Sequence, residues 1–258
     1  MQRERLAGID ESCYPERGRA VASDSFTLHY KFKFGEGVER TFVINLHPQS
    51  LNLIQPNASA HPDWTKLDHK KCSNCPLDSA TTPHCPVAVA LEEVIDYFKD
   101  RLSSDRVDVE VSMPSRTYVA TQPMATAVSS LIGIFMVTSG CPILGKLKPM
   151  VRTHLPFADL AESLYRFVSM YMLGQYFVMK RGGSPDFEMQ RFVSLLDSLR
   201  TVNRSFCQRL YAVCEKDASL NALVHLDCFA DNTAFAVQKR GLAELESTFE
   251  DFLKERGE

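Results

Sequence analysis

The chain has 258 residues, 45% of them hydrophobic and 24% charged. That is the composition of one large or two small globular domains, and it excludes wholesale disorder. A formal net charge of −3 gives no global attraction to nucleic acid or anionic membrane, and eight cysteines in so long a chain do not make a disulfide scaffold.

Residues 1–23 are polar and rich in Arg and Glu, with no sustained period, and are expected to form a flexible tail in which Cys13 is a bystander. The opening Met1-Gln2-Arg3-Glu4-Arg5-Leu6 lacks the apolar stretch of a signal peptide, so a reducing cytoplasm is the expected setting. From Phe26 the pattern changes. Phe26, Leu28, Tyr30, Phe32 and Phe34 alternate with polar residues, Gly35-Glu36-Gly37 turns, and Phe42, Ile44 and Leu46 resume the alternation. Period two on both sides of a glycine turn predicts a β-hairpin with one buried face. Pro48 ends it, and Leu51–Leu53 suggests a short third strand. Residues 55–71 form a loop broken by Pro56 and Pro62, with Trp64 as its anchor.

Residues 86–102 carry apolar positions at helical spacing. Val107–Val111 alternates again, and Arg116–Ala120 returns antiparallel across Pro114-Ser115. After Gln122 the pattern is helical, with helices expected over 124–138, 157–180, 185–215 and 233–256 and an ambiguous stretch over 220–229. Gly182-Gly183-Ser184-Pro185 separates two of these. The expected fold is α+β, with a small antiparallel sheet and one packed helix at 24–122 and a helical bundle at 123–258, as two domains or one fused unit. The run at 131–137 is too short to span a bilayer, and the run at 164–179 carries Arg166 and Gln175.

The feature with most chemical specificity is a set of cysteines. Cys72, Cys75 and Cys85 lie in one polar, proline-broken loop, and Cys141 stands alone in Ser139-Gly140-Cys141-Pro142. Proline follows Cys75, Cys85 and Cys141 directly. A C-x2-C pair with two further Cys-Pro units is a pattern for a four-thiolate site. Cys85-Pro86 opens a helix, since proline suits the first helical position, while Gly140 is placed to cap one in the left-handed region. An iron–sulfur cluster, of the 4Fe–4S kind, is the first expectation, because Pro76 disfavours the turn of a zinc knuckle and Cys-Pro is familiar from cluster ligation. Structural zinc is the second. His69, His84 and His154 are substitutes for Cys141 as the fourth ligand.

The segments Cys75-Pro76-Leu77-Asp78, Cys85-Pro86-Val87-Ala88, Ser139-Gly140-Cys141-Pro142 and His154-Leu155-Pro156-Phe157-Ala158 are together similar to a bacterial protein family of unknown function, over nearly the whole chain. The resemblance implies that Cys141 and His154 belong with the upstream cysteines, and it implies no activity.

Other motifs are missing: no phosphate loop, G-x-G-x-x-G, H-E-x-x-H or G-x-S-x-G occurs. Cys207, Cys214 and Cys228 have core spacing and are expected to pack. Glu92, Glu93 and Asp96 read as a solvated helix face, and Asp231 as a helix cap before Thr233. The stripe Tyr165, Phe167, Met170, Tyr171, Met172, Tyr176, Phe177 and Met179 reads as a helix–helix core, and any part left exposed as a groove for an unknown protein partner. The functional expectation is a metal-binding protein in which Cys72, Cys75, Cys85 and Cys141 hold an iron–sulfur cluster for a redox- or iron-responsive binding role. The alternatives are a zinc-stapled interaction module and an enzyme using Cys141 as nucleophile with His154 as base.

Overall fold

The computed structural model describes residues 25–55, 60–239 and 242–254; the segment 1–23, with Cys13, lies outside them. The period-two alternation becomes an antiparallel sheet. Strand β1 (Phe26–Lys33) turns through Gly35–Gly37 into β2 (Glu39–Leu46), and β3 (Arg106–Met113) returns as β4 (Arg116–Pro123). β1 also pairs antiparallel with β3, giving the four-stranded order β2-β1-β3-β4. Residues 51–53 contribute only an isolated bridge from Leu53 to Leu46.

The register sets Phe42, Tyr30, Val111 and Tyr118 side by side in one row, with Phe32, Val109 and Ala120 in the next. Alternation therefore turns Leu28, Tyr30, Phe32, Phe42, Ile44, Val109 and Val111 to one face, where all are buried. The opposite face carries Lys31–Glu39 and Lys33–Glu110 ion pairs at 2.6 and 3.2 Å. Exposed pairs of this kind stabilise by about 1 kcal/mol at most, so the apolar face is what holds the sheet.

That face is covered first by two short helices. The single helix expected over 86–102 breaks at Leu91 into α1 (Pro86–Ala90) and α2 (Glu92–Phe98), since Leu91 has left helical geometry at φ −102° and ψ 1°. Phe98 of α2 packs on Phe32 and Phe42 with ring centroids 5.1 and 5.6 Å away. Helix α3 (Met124–Thr138) has the expected bounds. It is apolar all round and buried on nearly every side, as a central helix must be, and it packs against the sheet, α1 and the last long helix.

Gly140, at φ +99°, ends the chain's run after α3, and a 3-10 segment (Leu144–Thr153) follows. Helix α4 (Leu160–Lys180) starts three residues later than expected, because Asp159 and Glu162 form a capping box there. Helix α5 (Gln190–Leu210) also starts late. The Asp186 carboxylate takes the otherwise unpaired amides of Gln190 and Arg191 at 3.2 and 2.7 Å. Helix α6 (Ala218–Lys239) replaces the helix expected over 233–256, and α7 (Ala243–Glu246) and α8 (Glu250–Lys254) are short. One continuous cluster of buried side chains runs from the sheet through α3 to α5 and α6. Among the described residues, no helix is long and apolar enough to cross a membrane.

Candidate functional site

The cysteine loop is built largely as its local chemistry dictates. Cys72 and Cys75 face each other across a turn closed by Cys75 N–H to the Cys72 carbonyl at 3.0 Å. Cys85 is the N-cap of α1 with Pro86 at the first helical position, and its N–H donates to the Thr65 carbonyl at 2.8 Å. Cys141 follows Gly140, and its N–H donates to Ser139 Oγ at 3.2 Å. The loop and the corner do meet. Cys85, Cys75 and Cys141 all act on the Cys72 thiol electrostatically, and Cys85 and Cys75 act on Cys141.

The metal site expected from this meeting is nevertheless overturned. Among the described residues, no group of three or more His, Cys, Asp or Glu side chains is arranged to hold a metal ion. Cys72, Cys75, Cys85 and Cys141 are neighbours that do not converge, and all four are free thiols. Cys72 is engaged by the Ser205 side chain, and burial pushes its thiol up to about 11. Cys141 is engaged by the backbone of Leu144 and Ile143, and burial raises its pKa too. The reading as an iron–sulfur or zinc protein is therefore withdrawn. Two of the substitute histidines are occupied in other ways: Thr65 Oγ1 lies 2.7 Å from His84 Nδ1, and Tyr30 hydrogen-bonds His154. The third, His69, has a buried Nε2 with no hydrogen-bond partner among the described residues.

A cation of another kind joins the loop to the helical half. Arg209 of α5 is only 2% exposed. Its Nη1 donates to the carbonyls of Trp64 and Lys66 at 2.7 and 2.6 Å, and its Nη2 to Leu67 at 3.2 Å. Asn74 Nδ2 adds a bond to the Ser198 carbonyl at 3.0 Å. Loop carbonyls turned inward need donors, and a planar guanidinium supplies several from one side chain.

The two residues of the enzyme alternative sit in apolar surroundings. His154 is bonded to the Tyr30 hydroxyl, and burial holds its pKa down to about 3. The raised Cys141 thiol is the reverse of an activated nucleophile.

A second concave feature lies against α3. A cavity of about 410 Å³, partly open to solvent, is lined by α3, the 3-10 segment, α4 and α6, with Leu199 and Asn203 from α5. This falls in the range of small-ligand sites. Its walls are mostly apolar, among them Ile134, Leu147, Met150, Phe167, Leu226 and Phe229. Gly133 opens one wall, and a methyl group there would meet only Leu226 Cδ2, at 3.6 Å. The segment His154-Leu155-Pro156-Phe157-Ala158 forms another wall, all but Pro156 lining the cavity. Phe157 is held at φ +62°, a left-handed geometry that is an outlier for a bulky side chain.

The polar groups gather near this wall. Tyr30 reaches through from the sheet, with its hydroxyl 2.8 Å from Ser130 Oγ on α3 and bonded to His154 Nε2. Burial raises the Tyr30 pKa and lowers that of His154, so both stay neutral near pH 7. Arg166 of α4 acts electrostatically on both of them. Its Nη2 donates to the Met150 carbonyl at 3.2 Å, while its buried Nε has no hydrogen-bond partner.

Other sequence expectations divide. Cys207 and Cys214 pack against the core as expected, but Cys228 is exposed because it lies on the outward side of α6 with Val224 and Phe235. Asp231 is not a cap: it sits within α6 and pairs with Arg200 at 2.7 Å, while Asp227 pairs with Arg204 at 3.0 Å. The stripe on α4 is core on one side, where the Tyr171 ring packs tilted against Phe192 with centroids 4.6 Å apart, and exposed on the other at Tyr165, Tyr176 and Phe177, with Leu173 beside them. Tyr30, Ser130, Arg166 and Arg209 were not singled out as functional from the sequence. Two left a signal: Arg166 is the one charge in the apolar run 164–179, and Arg209 shares the buried register of Val202 and Phe206.

The chain belongs to the family described as a domain of unknown function (DUF6901), whose model matches residues 28–250. No curated protein and no solved structure matches it significantly.

Proposed function

We propose that the protein binds a small, predominantly apolar ligand in the cavity between α3, the 3-10 segment, α4 and α6. The observation that carries this reading is the cavity itself: about 410 Å³ of space walled by apolar side chains, with a few polar groups concentrated beside one wall. Fixed polar groups in an apolar enclosure are the general composition of ligand sites. Phe157 supports the reading, because its unfavourable backbone geometry shapes the wall. The reading includes a reducing cytoplasm, where the free thiols persist.

The test is binding of a neutral fluorescent probe, N-phenyl-1-naphthylamine, to the wild type and to Gly133→Leu. The leucine projects from α3 into the cavity, and circular dichroism checks that the helices survive. Binding to the wild type, weakened by about tenfold or more in the filled variant (about 1.4 kcal/mol), supports the site. No binding to the folded wild type, or equal binding to both, refutes it.

A further inference from the structure

Resting on that cavity reading, we infer that the ligand is a monocarboxylate with an apolar body, its carboxylate taken by Arg166. Among the residues that line the cavity, Arg166 is the only arginine, lysine or carboxylate. No ion pair within 4.0 Å involves it among the described residues. The nearest acid along the helix is Glu162, one turn earlier; it acts on Arg166 electrostatically, while its carboxylate accepts from the Asp159 amide at 2.9 Å. The polar neighbours Tyr30 and His154 supply no negative charge, because both are neutral.

The free donor comes next. One terminal nitrogen of Arg166 serves the Met150 carbonyl, and its Nε–H is buried without an acceptor. A buried donor on a cation is costly to leave unmet, more so than a neutral one. An anion in the cavity would offset the charge of Arg166, which lines it. Guanidinium is planar, and its parallel N–H groups match the two oxygens of a carboxylate. The chain from Ser130 through Tyr30 to His154 lies beside it as a neutral polar wall whose groups are bonded to one another. A single cation suits a single negative charge, which disfavours a phosphate dianion. The rest of the wall, from Ile134 to Phe229, specifies an apolar body.

The experiment is displacement of N-phenyl-1-naphthylamine at pH 8 by three ligands of equal chain length: decanoate, decanol and decylamine. In the wild type, decanoate is expected to bind about tenfold or more tighter than decanol, in keeping with a charge-assisted hydrogen bond, and decylamine weakest. In Arg166→Gln the advantage of decanoate disappears while the probe and decanol bind as before. Arg166→Lys keeps part of the advantage, since charge remains and the planar fork is lost. Decanoate no tighter than decanol in the wild type, with the probe and decanol both bound, overturns the carboxylate inference and leaves the cavity standing. A probe and decanol that both fail to bind the folded wild type overturn the cavity and the inference together. The wild-type comparison needs no variant, so a misfolded Arg166→Gln does not shield the inference.

Discussion

Arg209→Met tests what joins the cysteine loop to the helical half. Methionine keeps most of the stem volume and removes the guanidinium. Lost with it are bonds to the carbonyls of Trp64, Lys66 and Leu67. Hydrogen bonds to a charged donor contribute about 1.5–3 kcal/mol each. Against that stands the several kcal/mol needed to strip water from a buried guanidinium, which the variant recovers. The net loss is about 2–4 kcal/mol. The comparison is Cys72→Ser, which alters one half-buried, protonated thiol in the same neighbourhood and is expected to cost about 1 kcal/mol or less. Urea unfolding reads both differences. Limited trypsin digestion reads the local effect, since Lys66, Lys70 and Lys71 lie in the loop that Arg209 holds. Cleavage there should quicken in Arg209→Met and stay near wild type in Cys72→Ser. If Arg209→Met unfolds within about 0.5 kcal/mol of wild type while Cys72→Ser loses several times more, the thiols hold the loop and the reasoning is wrong.

Two further changes probe the core of α3 and its surroundings. Burial holds His154 at a pKa of about 3 against about 6.5 unfolded, so the unfolded chain binds a proton that the folded chain refuses. The contribution is complete above about pH 6.5 and is lost as the pH falls toward the folded value, by about 2.5 kcal/mol between pH 7 and 4.5. Urea unfolding of wild type and His154→Gln at those two pH values isolates it, because carboxylates common to both cancel; identical pH dependence would remove His154 from the interior. Gly140→Ala, at φ +99° with Pro86 Cβ no nearer than 3.9 Å, should destabilise by about 1–2 kcal/mol through backbone strain alone. Gly133→Ala, inside α3, should stabilise by about 0.5–1 kcal/mol, and a shift in the same direction for both glycines in denaturant titration would contradict the account.

The sheet was legible because alternation is a local property: Phe26 to Phe34 announces its own buried face. α3 was legible to its ends for the same reason, with Pro123 before it and Ser139-Gly140 after it. The helix starts at α4 and α5 were blurred because side-chain caps set them, Asp159 for one and Asp186 for the other. Asp186 acts across the chain to Gln190 and Arg191, which a hydrophobic pattern does not show. The cysteine reading was overturned. Spacing and Cys-Pro corners do bring Cys72, Cys75, Cys85 and Cys141 into one neighbourhood, but convergence of four sulfurs depends on side-chain directions that no spacing encodes. The cavity was invisible for a deeper reason. It belongs to space between α3, the 3-10 segment, α4 and α6, and its polar groups come from positions as far apart as Tyr30, Ser130, His154 and Arg166.

The walls of that cavity differ in kind, and the difference bears on how a ligand enters. α3 is fixed from every side: the sheet and α1 hold one face and α6 the other. The facing wall is a ten-residue 3-10 segment, Leu144–Thr153, with Pro149 inside it. Such helices rarely run beyond a few residues, because their hydrogen bonds are poorly aligned. α4 beside it leaves Tyr165, Leu173, Tyr176 and Phe177 exposed, so little on its outer side holds it in place. α4 touches α6 and the 3-10 segment only sparsely, and an element with few buried contacts opens at lower free energy than the global fold does. Arg166 lies on this side and Ser130 on the fixed side. A ligand that binds both would draw the soft wall onto the rigid one, and the free energy of ordering that wall would be subtracted from its affinity. The fixed polar chain from Tyr30 to Ser130 and His154 already has its partners. The unmet donor sits on the element with the freedom to move.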